Sequence, residues 1–567
     1  MVYPVLHFRN CYRHVVSSEE CLPFVFGSYL NLHVNHVFVD TFLSPKYIIE
    51  KKVSITLPFS AYCAKIKQTN FIEKVIGLLF KTECLFLREK YLTYREVFFM
   101  LVVTYCIAIS SIVRADYNYI DDLGRTAFGY RGWLNFSRYV SEYTSIILHQ
   151  KRYLADISPL TQLLAVVILA MASVILLDSL NVSKRHLKWS ALAVLPLGLT
   201  PYFLECLSYK FDSPYMAISV LAGIFPFLFK DRDWRIYGFV TSLGTMIVFT
   251  TYQAASGICI ILCLFICALK WNKGESYKNI VRFSGITGMF YGLSLLLFKV
   301  ILMKPVDTYV KATINISELP YNLVNNIKQY FSLLYYDSTR VWIVLTILIC
   351  LMFILAFIEE SNRSKWQASV VAVLIVPITM VMSYGLYLAL PKPLFAPRGM
   401  YGIGAWLAIL SVLAISRFKY AYITRVICLG LSWCMFSFAF MYGNALAEQK
   451  RYTDYRVQMV INDLSYLGYL APSKLVAVAL DGNIGLSPIV IRRGERFHVL
   501  NRLVVTTFGR GWHWSKFYFY NYFGPYKPKE WQADKTQLKS LNMKILKDTV
   551  YHTIKTDGKH LVIMLKE

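Results

Sequence analysis

The sequence predicts an all-α polytopic membrane protein of about 11 transmembrane helices, followed by a small C-terminal α/β domain. Of its 567 residues, 56% are hydrophobic, and the mean hydropathy is +0.45. Soluble chains hold about 45–50% apolar residues. Charged residues amount to only 17%, against about 25% in ordinary chains. Apolar runs close to the length of a spanning helix, about 20 residues, also follow one another along the chain.

The first 90 residues differ from the rest of the chain. They mix His, Cys, charges and short aromatic pieces, without a run long enough to span a membrane. No basic segment followed by an apolar one opens the chain, so we expect no cleaved signal peptide. We interpret residues 1–90 as a cytoplasmic extension that could be poorly ordered. It is either a small domain or a translated upstream segment, and the second is favoured.

Residues 91–443 carry the predicted spans. These lie near 96–113, 160–177, 189–204, 214–229, 236–252, 255–270, 283–303, 341–358, 367–390, 401–415 and 424–442. Several of the runs are short, so two of them could be re-entrant.

Basic residues fall in alternate short loops. The five loops hold Lys184, Arg185 and Lys188; Lys230, Arg232 and Arg235; Lys270, Lys273, Lys278 and Arg282; Arg363 and Lys365; and Arg417, Lys419 and Arg425. Cytoplasmic loops collect Lys and Arg, so this side is predicted to be cytoplasmic. The net charge of +26 then reflects topology and contact with anionic lipid headgroups. It does not indicate nucleic acid, because no basic-aromatic groove pattern occurs.

The tail, 444–567, lies on the opposite, outer side and is predicted to be a mixed α/β domain. Residues 451–467 have helical spacing, and β-rich runs follow at 475–480, 488–491, 503–507 and 561–565. The dense aromatic segment 512–523 favours a hydrophobic core or a membrane-surface contact over a sugar-stacking platform.

The first outer loop holds two adjacent acids, Asp121 and Asp122, followed by Arg125. Adjacent carboxylates cannot share one face of a helix, so we expect them to have different roles. A carboxylate poised by its surroundings can act as a general base on an incoming hydroxyl. The nearby cation can hold a phosphate or pair with the other acid. An ordinary solvated loop, or a helix N-terminus that prefers acids, explains the charge pattern equally well.

Other segments predicted on the outer side add polar groups to this loop. They supply Asp156, Glu205, Asp212 and Arg398, and the tight turn Tyr252-Gln253 is predicted to line the same cavity. Polar groups at membrane depth are costly and are functional candidates. Such a cluster suits a lipid-phosphate-linked sugar donor: arginine meets phosphate, aromatic rings stack on sugar, and a carboxylate activates the acceptor.

Three motifs carry a resemblance to a known family. They are Asp-Tyr-Xaa-Xaa-Ile-Asp-Asp-Xaa-Gly-Arg from Asp116 with Gly132-Trp133 after it, Asp-Xaa-Ser-Pro-Leu-Thr-Gln from Asp156, and Pro-Tyr-Phe-Leu-Glu-Xaa-Leu-Ser-Tyr-Xaa-Phe-Asp-Ser from Pro201. Together they resemble the type II glucosyltransferases of the Gtr system, which modify O-antigen in enteric bacteria and their phages. The resemblance runs from about residue 90 into the tail.

The resemblance implies a GT-C-type fold in the bacterial inner membrane. It also implies transfer of glucose from undecaprenyl-phosphate-glucose to lipopolysaccharide O-antigen on the periplasmic side, which changes the serotype. GT-C enzymes place a catalytic aspartate in the first outer loop, which here is Asp121 or Asp122. Asp122 is slightly preferred because Arg125 stands at helical spacing from it. A small flippase of the same system is an implied partner.

The remaining candidates receive roles in donor or acceptor binding. Arg125, Arg138 and Arg398 are predicted to stabilise the leaving phosphate, although Ser137-Arg138 stands where the family pattern has Gly-Arg. Glu205 and Asp212 are predicted to hold sugar hydroxyls or to orient an arginine. The lining candidates are Asp156, Tyr252 and Gln253.

No cofactor is predicted, because the donor's energy lies in its phosphodiester bond and no GxxxxGK[ST] loop occurs. A divalent metal on the carboxylates is a minor alternative. Two other classes of protein fit parts of the pattern. A multi-pass transporter or flippase predicts inverted repeats and charges near mid-membrane, and neither is evident. A non-catalytic membrane protein that binds glycan through its tail is the third interpretation.

Overall fold

The computed structural model describes residues 92–304, 316–419, 421–470, 477–509, 515, 518, 529–530 and 542–567. The predictions for residues 1–90 fall outside this part of the chain, as do those for the aromatic segment 512–523 apart from Tyr518.

Helices dominate the described residues. They are α1 Tyr94–Ala115, α2 Asp122–Phe128, α3 Tyr139–His149, α4 Leu160–Ser179, α5 Leu187–Ala193, α6 Pro196–Leu199, α7 Pro201–Ser208, α8 Ser213–Ile224, α9 Trp234–Thr251, α10 Ser256–Asn272, α11 Tyr277–Leu297, α12 Leu319–Asp337, α13 Arg340–Glu359, α14 Lys365–Met382, α15 Gly402–Arg417, α16 Ala421–Tyr466, α17 Pro488–Gly494 and α18 Leu500–Leu503. The strands are β1 Ala477–Gly482, β2 Lys529–Glu530, β3 Lys544–Asp548, β4 His552–Thr556 and β5 His560–Leu565. The prediction of a mostly helical membrane protein with a small C-terminal sheet is confirmed.

Seven helical segments among the described residues are long and apolar enough to cross a membrane. They are Tyr94–Ala115, Leu160–Ser179, Gln253–Asn272, Tyr277–Leu302, Arg340–Glu359, Lys365–Met382 and Ala421–Tyr466. An eighth is possible where Lys184–Leu199 and Pro201–Ser208 form one span bent by 62°. The other predicted spans coincide with the shorter apolar helices Ser213–Phe229 and Gly402–Arg417, and with α9. The count of about 11 therefore stays a prediction.

The ends of α1 fix the entry to the first outer loop. Thr93 and Glu96 form a capping box at its N-terminus, in which each side chain accepts from the other residue's backbone N–H. At the other end, Asp116 adopts the left-handed conformation with φ of 46° and closes the helix. The chain turns there, a few residues before the acidic pair.

The C-terminal sheet has the order β2-β1-β5-β4-β3. β1 runs parallel to β2 and β5, whereas β4 is antiparallel to both β3 and β5. Two of the predicted β-runs, 488–491 and 503–507, are wrong. Residues 488–491 begin α17, because Ser487 caps it by accepting from the Val490 N–H and Pro488 suits the first helical position. Apolar side chains of the second run, including Leu503 and Val504, instead pack into the core of the apolar helices.

Helix α16 joins the spans to the tail without interruption. It covers Ala421–Tyr466 and so crosses the predicted domain boundary between residues 443 and 444. Its later residues Val457, Val460 and Leu464 pack with the sheet. By contrast, α17 and α18 place Val490 and Leu500 in the same core as the apolar helices. The tail therefore packs directly on the spanning part of the chain.

The amphipathic helix α12, which lies between the predicted spans 283–303 and 341–358, was not predicted.

Gly443 permits the close crossing of α1 and α16. A Cβ atom added there would lie 2.3 Å from Ser111 Oγ, 2.4 Å from Ser111 C and 2.6 Å from Ile112 N. Two of these atoms are backbone, so the helices themselves would have to separate. The Ser111 hydroxyl also donates to the Ala439 carbonyl across this crossing, at 3.1 Å.

We expect Gly443→Ala to destabilise the protein by about 1–3 kcal/mol, the usual cost of overpacking a tight contact. Thermal unfolding of the detergent-solubilised protein measures this as a lower melting temperature. Gly430→Ala is the matched control in the same helix, because its Cβ would meet only the Leu345 side chain, with Cδ2 at 3.7 Å and Cδ1 at 3.9 Å. Equal effects of the two substitutions would contradict the close-crossing explanation.

Candidate active site

The two adjacent aspartates lie in different surroundings. Asp121 occupies the N-cap position of α2, makes no capping hydrogen bond with its side chain and is half-buried. Asp122 is 0% exposed. Its Oδ2 accepts from the backbone N–H of Tyr119 at 3.1 Å and of Lys210 at 2.9 Å. Asp122 therefore joins the first outer loop to the segment that follows α7.

Burial raises the pKa of Asp122 to about 7, while the two backbone N–H groups and the charges of Arg125 and Lys210 act in the opposite direction. Its second oxygen, Oδ1, has no hydrogen-bond partner among the described residues. Removing a carboxylate from water disfavours its charged form, so this side chain is held near the balance between its two protonation states at neutral pH.

Arg125 pairs with Asp212, and both side chains are buried. Trp133 Nε1 donates to the other oxygen of Asp212 at 2.5 Å. The Arg125 guanidinium also lies over the Trp133 ring, 4.3 Å from its centroid, within the range of a cation–π contact. Because Arg125 pairs with Asp212 and not with either acid of the loop, helical spacing gives no reason to prefer Asp122.

Glu205 and Arg398 form a second ion pair, in which Glu205 is buried and the Arg398 side chain is 17% exposed. Arg398 donates to Glu205 twice, through Nη1 at 2.7 Å and through its backbone N–H at 2.5 Å. The Tyr119 hydroxyl lies 3.1 Å from the same carboxylate and 2.7 Å from the Leu503 carbonyl, so its single proton is shared between these two acceptors. Tyr119 thus connects Asp122 to the Glu205–Arg398 pair, because its backbone N–H binds Asp122 while its hydroxyl binds Glu205.

Arg138 and Arg398 both act on Tyr252. The Arg138 guanidinium lies over the Tyr252 ring, 4.5 Å from its centroid, and the charge of Arg398 also acts on this side chain. Gln253 donates to the Phe136 carbonyl at 3.2 Å, so the turn after α9 is fastened to the first outer loop. Two cations and one buried aromatic ring therefore meet at this end of the helices.

Lys210 connects the remaining predicted residue, Asp156, to the site. Its Nζ pairs with Asp116 and, at 3.3 Å, with Asp156. Lys450 of α16 pairs with Asp116 as well, at 2.9 Å. Asp156 lies at the exposed rim, whereas Lys210 itself is buried.

Several residues of this arrangement were not singled out from the sequence. Tyr119 and Lys210 stand at variable positions of the quoted motifs, and Trp133, although named there, was given no role. The motifs therefore marked the segments but not these side chains. The tail contributes unexpectedly: the Tyr119 hydroxyl donates to the Leu503 carbonyl at 2.7 Å, and the Tyr117 hydroxyl to the Val505 carbonyl at 2.5 Å. These contacts join positions more than 380 residues apart, and no local pattern announces them.

The charged groups of the site hold one another. Asp212, Glu205 and Asp116 each bind an arginine or a lysine. Within the part of the chain that the structure describes, no group of three or more His, Cys, Asp or Glu side chains is placed to hold a metal ion.

The raised pKa of Asp122 predicts a pH-dependent stability difference. A proton favours the folded state here, so the stabilisation is fully present below the ordinary pKa of 3.8 and is lost as the pH rises through about 7. Asp122→Asn does not titrate at this position. We therefore expect the difference between its melting temperature and that of the parent protein to shift in favour of the variant as the pH rises from 5 to 8. The gain corresponds to a few kcal/mol at most.

Thermal unfolding across this pH range is the measurement. Asp557→Asn serves as a control, because the hydrogen bond from His560 holds the pKa of this exposed acid at about 2. A difference between Asp122→Asn and the parent that does not change with pH would show that Asp122 does not titrate there.

Comparisons with known proteins agree with the motifs. The family model for glucosyl transferase GtrII matches residues 110–409, which is more than half of the chain and includes all the predicted site residues. A relative from Salmonella phage P22, described as an uncharacterized 55.3 kDa protein in the gtrB 5' region, is 24% identical over 421 residues, covering 70% of this chain and 84% of the relative. No solved structure matches the chain. The predicted family is confirmed: the chain belongs to the GtrII glucosyltransferase family and is a glycosyltransferase.

Proposed function

We propose that this protein moves glucose from undecaprenyl-phosphate-glucose to lipopolysaccharide O-antigen on the periplasmic side of the inner membrane, and so changes the serotype. Residues 91–443 form the catalytic membrane domain, 444–567 a periplasmic α/β domain and 1–90 a cytoplasmic extension. The basic loops on the opposite side support this orientation. The phage relative's description, which places it in the gtrB 5' region, supports a Gtr system, and the proposed partner is a small flippase of that system.

The observation that carries the proposal is the convergence of acids, arginines and tyrosines from separate outer segments. Asp121, Arg398 and Glu205 all act electrostatically on the buried Tyr209, whose ring also lies 5.9 Å from the Arg398 guanidinium. One electrostatic region therefore contains both an acid suited to an acceptor hydroxyl and a cation suited to a phosphate. A lipid-phosphate sugar donor needs both.

The reaction requires one bond to form and one to break. The acceptor hydroxyl oxygen attacks the anomeric carbon, and the bond from that carbon to the phosphate oxygen breaks. Its electron pair stays on the lipid phosphate, and the hydroxyl proton passes to an aspartate. Positioned cations stabilise the charge that develops on the phosphate. No cofactor enters this scheme.

We assign the general base to Asp121 and a positioning role to Asp122. A base must come within hydrogen-bond reach of the proton that it takes. Asp121 is half-buried and opens α2, whereas Asp122 is fully enclosed. The Oδ2 atom of Asp122 already binds two backbone N–H groups. Asp122 then holds the loop in the shape that presents Asp121.

Arg138 and Arg398 are the proposed phosphate-binding cations. Arg125 is enclosed by its carboxylate and indole partners, and its side chain is only 5% exposed. Arg398 is also paired, with Glu205, but its side chain keeps 17% exposure. Asp212 and Glu205 then act by orienting arginines, the second of the two roles predicted for them.

The alternatives find less support. A transporter or flippase requires charged groups along a path through the membrane. The Arg125–Asp212 and Glu205–Arg398 pairs lie outside the seven long apolar helices, and of these four residues only Glu205 belongs to the bent eighth segment, three residues before its end. A purely glycan-binding protein gives no reason for the buried arginine pairs beneath the tail.

We expect Asp121→Asn to lower O-antigen glucosylation at least about 100-fold, the range that general-base catalysis contributes. Asp122→Asn keeps an oxygen that accepts from both backbone N–H groups and should retain most of the activity. Asp122→Ala leaves those two groups unpaired, at about 1–3 kcal/mol each, and should reduce both activity and the amount of protein in the membrane.

The measurement is mass spectrometry of O-antigen from cells that carry each variant at equal membrane abundance. An active Asp121→Asn together with an inactive Asp122→Asn would transfer the role of base to Asp122. Full activity of both variants would rule out this acidic pair as the source of the base.

A further inference from the structure

The tail residue Arg502 lies beside the loop that carries Arg398. Its guanidinium pairs with Asp337 at the end of α12 and donates to the Phe395 carbonyl. It also contacts Met400 Sδ at 3.6 Å. Phe395 and Met400 stand on either side of Arg398 in the sequence, so one tail side chain touches the loop before and after the arginine.

The partner acid of Arg502 belongs to the same network. Asp337 is 2% exposed, and its carboxylate accepts from the Tyr202 hydroxyl at 3.1 Å. Tyr202 and Glu205 both lie on α7, one helical turn apart, and Glu205 binds Arg398. Helix α7 therefore contacts the loop around Arg398 directly, through Glu205. Helices α7 and α12 also contact it indirectly, because Tyr202 binds Asp337 and Asp337 binds Arg502.

The residues after Arg502 fasten the tail to the first outer loop. The carbonyl of Leu503 accepts from Tyr119 and that of Val505 from Tyr117. Leu500, Leu503 and Val504 are buried in the core shared with the apolar helices. The segment 500–505 is thus held by the first outer loop and by the core of the apolar helices. Its backbone is fixed, and the position from which the Arg502 side chain extends is fixed with it.

We propose that Arg502 is a positioning residue of the glycosyl-transfer site, and that it acts by fixing the loop that presents Arg398 to the phosphate of the donor. This inference rests on the proposed function, because it takes Arg398 as a cation that binds the leaving phosphate. It makes the C-terminal tail part of the active site, beyond the residues 110–409 that the family model matches. It also gives the Asp337–Arg502 pair a role in turnover.

A lysine cannot replace Arg502 fully. The guanidinium reaches the Asp337 carboxylate and the Phe395 carbonyl through two different nitrogens, Nη1 and Nη2. An ammonium group is a single point of charge, and it would keep the carboxylate while releasing the carbonyl. Arg502→Lys therefore separates the ion pair from the contact that fixes the loop.

The test is a double-mutant cycle on the rate of glucose transfer in membrane vesicles, with the polyprenyl-phosphate-glucose donor and O-antigen acceptor. We expect Arg398→Ala to lower the maximal rate about 100-fold and Arg502→Ala to lower it about 10- to 100-fold. The double variant should be no slower than Arg398→Ala alone, because Arg502 has no loop arginine left to position. The maximal rate of Arg502→Lys should lie between those of Arg502→Ala and the parent, with little change in the substrate concentration needed for half-maximal rate.

The control is Arg496→Ala, which removes an exposed arginine of the same tail and should leave the rate unchanged. Multiplicative losses in the double variant would show that Arg502 does not act through Arg398, and would overturn this inference while leaving the proposed function intact. A full rate for Arg398→Ala would overturn this inference together with the phosphate-binding role of Arg398, whereas absence of glucose transfer by the parent protein would overturn the proposed function itself. If Arg502→Ala fails to accumulate in the membrane, the same cycle is carried out with Arg502→Lys. Multiplicative losses in that double variant, or a full rate for Arg398→Ala, would again overturn the inference.

Discussion

The outer end of this helical bundle depends on the pairing of buried charges. Arg125 with Asp212 and Arg398 with Glu205 place four ionic groups where water is largely excluded. Removing one partner of a buried pair leaves an uncompensated charge, which typically costs about 3–5 kcal/mol. Each pair joins two outer segments that lie far apart in the sequence. Charge compensation therefore holds the loops of this site in one arrangement.

Tyr119 connects the Glu205–Arg398 pair to Asp122 and to the tail. Its backbone N–H binds Asp122, and its hydroxyl is shared by Glu205 and the Leu503 carbonyl. A shift of the first outer loop would consequently disturb the Glu205–Arg398 pair and the tail together. Networks of this kind strengthen when every member is satisfied and become costly when one is lost. The site is better regarded as one polar unit than as a set of separate loops.

The sequence predicted the parts of the structure that follow from local pattern. The predicted spans fall on helices because apolar runs of that length have few alternatives in a bilayer. It also identified the acids and arginines that the fold brings to the outer end. It could not assign partners: the spacing of Asp122 and Arg125 suggested an interaction, whereas the buried Asp212, 87 positions away, takes the guanidinium. The error at α17 has a different cause: its short apolar run was read as a strand, although Ser487 and Pro488 are local signals of a helix N-terminus.

Adjacent identical residues can acquire opposite chemical roles from the single turn between them. Ile120 adopts the left-handed conformation with φ of 47°, in a turn just before α2 begins. Successive side chains of a helix start about 100° apart, since 3.6 residues make one turn. One aspartate is thereby directed into the protein, where it binds two backbone N–H groups, and the other remains half-buried at the helix start. The enclosed acid shapes the loop at the cost of burying a carboxylate, and its neighbour keeps the access that proton transfer requires. On the proposed function, the enclosed Asp122 supports the loop and the half-buried Asp121 acts as the base.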